Sequence, residues 1–330
     1  MTLIPVIHAD TVPGNWPPPD LPPPPVASWT ALVDKTKIPK IPVRNISAPC
    51  DPKDPYCTWT CYICTRPKTD FTYCPNKTDW ALTYDDGPGP NTENVLSALD
   101  SKGVKATFFV IGSRVLQHAD VLKKTVAAGH QIGVHTWSHT MLTTQSNEQI
   151  IAEIKWTEKI IKNVTGLTPT WMRPPAGDID DRVRGILTQL GYRIALWNHD
   201  TFDWKSNADP TFDLNWITGN FSQWVHNTSY SKNGYVSLEH DLFNTSSSKI
   251  PAALDIVVGA GFNVKQLSNC LGDKKPYLED VSLPASPCKA GSETDTAKLT
   301  SSGNSLIPKY LTEFIAFTIL IFVVTNRSIF

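Results

Sequence analysis

Two aspartates stand side by side at Asp85 and Asp86, two histidines lie four residues apart at His135 and His139, and Arg173, Asp200, Asp203 and His240 follow downstream. Two imidazoles and one carboxylate form a facial ligand set for a divalent cation, leaving positions open for water and substrate. Adjacent aspartates in an extended or turning backbone point in different directions. One of the pair can therefore hold the cation while the other reaches water as a general base. Each feature also has a bland explanation. The His135/His139 spacing, which stacks the two rings if the segment is helical, equally fits a capping or core pair. Asp85-Asp86 before Gly87-Pro88 fits a turn, Arg173 a surface cation, Asp203-Trp204 a turn beside a core tryptophan, and His240 a packed strand-end histidine.

The elements that would position these groups alternate between strand and helix. Short apolar runs at 81–84, 106–111, 131–134, 170–172, 192–197, 235–238 and 262–264 predict seven strands. Helices are expected over 92–100, 114–128, 183–190, 212–224 and 251–258, and from a capping box at Ser146-Asn147-Glu148-Gln149 onward. Seven strands alternating with helices imply an α/β fold with a parallel sheet, either open or closed into a barrel. In such folds reactive groups gather where the strands end. Every residue named above follows a predicted strand.

The chain has 330 residues, 30 basic against 31 acidic, for a formal net charge of −1. No basic surplus is present to neutralise phosphates, so nucleic acid is excluded as the expected partner, and no protein partner is evident. Hydrophobic residues make up 41% and charged residues 18%, the latter below the roughly 25% of an average soluble domain. Fourteen of the 27 prolines fall within the first 55 residues, so 1–49 is expected to be an extended Pro-rich linker. Residues 50–78 form a cysteine-rich lead-in, 79–270 the folded catalytic domain and 271–305 a second linker.

Compartment follows from cysteines and sequons. Before the C-terminal tail, six N-glycosylation sequons begin at Asn45, Asn76, Asn163, Asn220, Asn227 and Asn244, favouring the secretory route. The Cys57, Cys61, Cys64 run has zinc-knuckle spacing, but in this setting a disulfide framework is the better reading. A Cys74–Cys270 bond would tie the domain's entry to its exit and add roughly 4–5 kcal/mol by loop closure. Cys288 leaves the count odd. Met1–Ile7 lacks a positive n-region and does not match a secretory signal, which is expected upstream. At the other end, small residues at 301–305, a spacer and the apolar run 314–324 match a GPI-anchor signal within 306–330. The alternative for that tail is a short single-span anchor.

Taken in order, Thr83-Tyr84-Asp85-Asp86-Gly87-Pro88, His135-Thr136-Trp137-Ser138-His139, Arg173-Pro174-Pro175, Asp200-Thr201-Phe202-Asp203-Trp204 and Leu238-Glu239-His240 resemble the five motifs of the polysaccharide deacetylases. These are carbohydrate esterase family four, with the NodB-homology domain, and the likeness is strongest to fungal chitin deacetylases. The resemblance covers about 60–270. It implies a distorted (β/α) barrel of about seven parallel strands that binds a divalent metal, usually Zn2+ with Co2+ or Mn2+ as alternatives, and removes N-acetyl groups from a β-linked polymer. By motif position, Asp86, His135 and His139 would be the metal ligands, Asp85 the base and His240 the acid. Arg173 would orient Asp85, Asp203 would tune His240, and Trp204 and Leu238 would line the acetyl pocket. Ala176 departs from the pattern, since the family carries Tyr or Phe there. It keeps the backbone N–H implied to meet the oxyanion but loses an aromatic wall.

The expected function is metal-dependent deacetylation of chitin to chitosan, extracellular, at the fungal cell wall, with the GPI anchor as the link to the membrane. The alternatives are a catalytically weak wall-polysaccharide-binding protein and a deacetylase of another acetylated polysaccharide. A glycosidase, with two carboxylates across a cleft, fits poorly beside two histidines.

Overall fold

The computed structural model describes residues 12–227 and 232–286. Nine strands form one sheet: β1 (Asp70–Phe71), β2 (Asp79–Asp85), β3 (Thr107–Val110), β4 (Gln131–Val134), β5 (Trp171–Met172), β6 (Arg193–Ala195), β7 (His199–Asp200), β8 (Tyr235–His240) and β9 (Asn263–Lys265). The order is β1-β6-β5-β4-β3-β2-β8-β7, and every pairing is parallel. β9 lies alongside the first half of β2, while β3 takes the second half. The sheet curls but does not close among the described residues, with β1 and β7 at its edges.

The seven expected strands are present, and the two missed ones, β1 and β7, have two residues each. Such short strands carry no periodicity to detect. The helix expected over 114–128 is two helices, Gly112–Gln117 and Ala119–Ala127, because His118 leaves helical dihedrals at φ −134° and ψ 47°. Ser146 caps helix Asn147–Thr165 as its capping box predicts, its hydroxyl accepting from the Gln149 amide.

Strand β2 is buried along its whole length, as a parallel strand covered on both faces must be. Its alternation divides the protein. Trp80, Leu82 and Tyr84 join the core between sheet and helices. Ala81 packs inside the curl with Phe109, Trp171, Ala195 and Val236. The same period of two carries that inner face on through Thr83 to Asp85, from Phe109 outward, and from Trp171 to Arg173. Gly133 lets this interior close, because a Cβ there would lie 2.5 Å from the Phe109 ring.

The Pro-rich segment is not a free linker over residues 12–49. It runs as a strap against helix Asn147–Thr165, burying Pro17, Pro23, Val33 and Ile38. Polyproline leaves its carbonyls unpaired, and helix side chains supply the donors: Gln149 to Pro23 at 2.8 Å and Trp156 to Pro24 at 3.0 Å. The lead-in holds two disulfides, Cys50–Cys61 and Cys57–Cys64, and Cys74–Cys270 closes the domain as anticipated. Cys288 and the tail 306–330 lie outside the described residues. Among the described residues no helix is long and apolar enough to cross a membrane.

Candidate active site

At its C-terminal end β2 delivers Asp85 inward, 3% exposed. Its register partner on β8 is His240, so two of the expected residues are neighbours across adjacent strands. Asp86 follows in the left-handed region at φ 80°, and that turn swings its carboxylate onto the histidines rather than outward.

The His135–His139 segment is not helical. Thr136 and His139 take positive φ values of 66° and 58°, and the resulting loop brings both rings to one oxygen. Asp86 Oδ1 stands 3.2 Å from His139 Nε2 and 3.4 Å from His135 Nε2. Asp86, His135 and His139 each offer one ligand atom within 4.8 Å of the others. Asp86 Oδ1 is buried without a hydrogen-bond partner, a costly arrangement unless a cation takes it up. The residues present thus fit a divalent cation, and one oxygen with two imidazole nitrogens suits zinc or its first-row neighbours. Burial opposes charge on Asp86, yet the nearby His139 and His135 hold its carboxyl far below the usual range. His135 Nδ1 is tied to the Arg173 carbonyl at 2.8 Å, which fixes the ring and leaves Nε2 toward Asp86.

Arg173 is fully buried. Its Nη1 donates to Asp85 Oδ1 at 2.8 Å and to Thr83 at 2.7 Å, and its Nη2 donates to the Leu196 carbonyl. The Phe109 ring lies 4.4 Å beneath the guanidinium. One oxygen of Asp85 is thereby occupied, while Oδ2 faces the site, 3.7 Å from His135 Nε2.

On the opposite side, Asp203 rather than Asp200 reaches His240. Its Oδ1 lies 2.7 Å from His240 Nδ1, and its Oδ2 accepts the His240 backbone amide at 2.8 Å. Burial works against the imidazolium, but Asp203, reinforced by Asp86 and Asp85, outweighs it and raises His240 to about 10. Asp200 instead accepts the Phe202 amide, and burial pushes it up to about 6. Glu239 points to the other face of β8, toward Ser237, and burial pushes it up to about 8.

Of the remaining expected residues, Leu238 is 5% exposed on the same face of β8 as His240, and Trp204 is half-buried beside Asp203. Ala176 is exposed in the left-handed region at φ 53°. Below it, Gly177 packs on Trp59 of the lead-in, whose amide donates to the Ile179 carbonyl.

One site residue escaped the sequence. Glu153, fully buried in helix Asn147–Thr165, accepts the amides of Trp137 and Ser138 at 2.8 and 3.0 Å and the Ser138 hydroxyl at 2.6 Å. The signal was an acidic residue between Ile150 and Ile154 on the apolar face of that helix.

A curled parallel α/β sheet with an Asp-His-His cluster at its strand ends, an arginine-held carboxylate and a carboxylate-backed histidine defines the class: an α/β fold whose strand ends carry a ligand set that fits a cation. Known proteins agree. The family profile described as polysaccharide deacetylase matches residues 72–195. Chitin deacetylase 1 of Cryptococcus neoformans is 39% identical over 278 residues, which is 78% of this chain and 58% of that protein. The chitin deacetylase of Amylomyces rouxii is 37% identical over 264 residues, covering 75% of this chain and 62% of that protein. The structure of the chitin deacetylase from the fungal pathogen Colletotrichum lindemuthianum matches with a TM-score of 0.58 and 30% identity, over 63% of this chain and 95% of that one. This chain belongs to the polysaccharide deacetylase family. It spans about three fifths of the length of the two curated relatives.

Proposed function

We propose that this protein hydrolyses the N-acetyl groups of chitin, releasing acetate and leaving chitosan. The observation that carries the reading is that Asp85 and His240 are register partners on adjacent strands, beside the Asp86–His135–His139 cluster that continues from Asp85. The acetamide is a poor electrophile with a poor leaving group. A divalent cation held by Asp86, His135 and His139, most simply Zn2+, would supply the Lewis acidity that polarises the acetyl carbonyl and acidifies water. Asp85, whose Oδ1 is held by Arg173, takes the proton of the attacking water on Oδ2. His240, kept charged by Asp203, gives its proton to the departing amine nitrogen as the C–N bond breaks. Water is consumed, and acetate and a free amine result. The backbone N–H of Ala176 serves as a further donor to the tetrahedral oxygen, and Trp204 and Leu238 accommodate the acetyl methyl. The missing ring at Ala176 opens the sugar site without removing that donor.

Disulfides and sequons support an extracellular, wall-associated setting. Five of the six sequon asparagines are exposed, whereas Asn220 is half-buried and donates to the Thr201 carbonyl. The C-terminal apolar tail supports a GPI anchor as the link to the membrane.

The decisive assay is acetate release from a graded series of chitin oligomers, with and without chelator. Chelation should stop release and zinc should restore it. Asp85→Asn should reduce release at least about 10²-fold with bound metal unchanged. Release that survives chelation would overturn the reading. A protein that binds chitin without releasing acetate would point to the polymer-binding alternative instead.

A further inference from the structure

The loop between the two candidate histidine ligands does not stand on the barrel alone. Trp137 is fully buried at its centre. On one side a Cβ at Gly112 would lie 2.6 Å from its ring, so that flank is packed to contact. On the other side the N-terminal strap closes over it. The Trp16 ring stacks on Trp137 with centroids 6.4 Å apart and planes 12° from parallel, and the Trp137 indole N–H donates to the Pro18 carbonyl at 3.0 Å.

We propose that the strap is a cis-docked polyproline clasp whose Trp16 is a positioning residue for the His135–His139 loop, so that the geometry of the metal cluster depends on a segment more than a hundred residues upstream. The clasp uses one half of the chemistry by which proteins recognise polyproline generally, side-chain N–H donors to its unpaired carbonyls. Here the donors come from Trp137, Gln149 and Trp156. The strap is latched past the tryptophan by Asp20, which accepts the Ser113 hydroxyl at 3.1 Å. The strap therefore grips both the helix that carries Glu153 and the loop that Glu153 holds. The residue that is both gripped and positioned is Trp137, two residues from either ligand. As it concerns the cation, this inference rests on the metal reading above; as it concerns the loop, it does not.

The test uses the full chain with Trp16→Ala and Trp16→Phe, read by hydrogen exchange and by zinc affinity in competition with a chelating dye. In Trp16→Ala the amides of Trp137 and Ser138 should exchange at least about tenfold faster, while those of β2 stay within about twofold of wild type. The zinc Kd should rise in parallel, and Trp16→Phe should recover most of both effects. Should Trp16→Ala fail to accumulate, Asp20→Ala releases the latch and serves for the same measurement. Unchanged exchange across 135–139, or exchange raised equally throughout the domain, would overturn the proposal. If wild type binds no zinc, the metal reading falls while the exchange result still decides the clasp.

Discussion

At the scale of single residues, the site separates two carboxylates by what holds them. Asp85 is held by a buried guanidinium, and Asp203 is committed to keeping His240 charged. Because His240 is raised to about 10, it stays protonated across the neutral range, as a proton donor to an amine must. Its raised value also stabilises the fold: the contribution is complete below about 6.5 and is lost as pH rises through the folded value. Asp203→Asn removes the group that outweighs burial. The basic limb of kcat/KM for acetate release should then move down by about two units or more. The same substitution should cost more thermal stability at pH 6 than at pH 10. With the cation in place the help from Asp86 and Asp85 is reduced, so the wild-type limb lies below 10. A limb that stays put in the variant would remove Asp203 from this role.

At the scale of elements, strand ends provide the chemistry and helices hold the connecting loops. The His135–His139 loop has two residues at positive φ, a conformation that side chains other than glycine adopt only when surroundings impose it. Glu153 is part of what imposes it, gathering two amides and a hydroxyl into one buried carboxylate. Glu153→Ala strands those donors inside the protein, which costs about 1–3 kcal/mol. Chemical denaturation should show that loss, and zinc affinity should weaken with it. A variant as stable as wild type would mean that water takes the place of the carboxylate.

At the scale of the whole molecule, the entry and exit of the domain are bonded to each other. Cys74–Cys270 spans 196 residues, and in the chain-entropy account a loop of that length confers about 5 kcal/mol. Cys74→Ser with Cys270→Ser should therefore lower unfolding free energy by several kcal/mol, while opening the lead-in bonds, which close 11 and 7 residues, should cost less. Equal losses would show that the lead-in acts by packing Trp59 under the Arg173 loop rather than by shortening the unfolded chain.

The order of motifs, the parallel α/β alternation and each strand that faces both layers were legible in the sequence, because period-two burial and strand-end chemistry are local properties. So was the pairing of Asp86 with His135 and His139, as a set of ligand types. The motif assigned Asp203, and the structure seats it on His240 while Asp200 accepts the Phe202 amide. Two matters were decided only in three dimensions. The histidine loop took its shape from backbone angles that residue types do not announce. The strap became part of the fold because polyproline has no internal hydrogen bonds, so its carbonyls stay open to any donors that folding brings near. Those donors sit on a helix far along the chain, and only the assembled protein places them there.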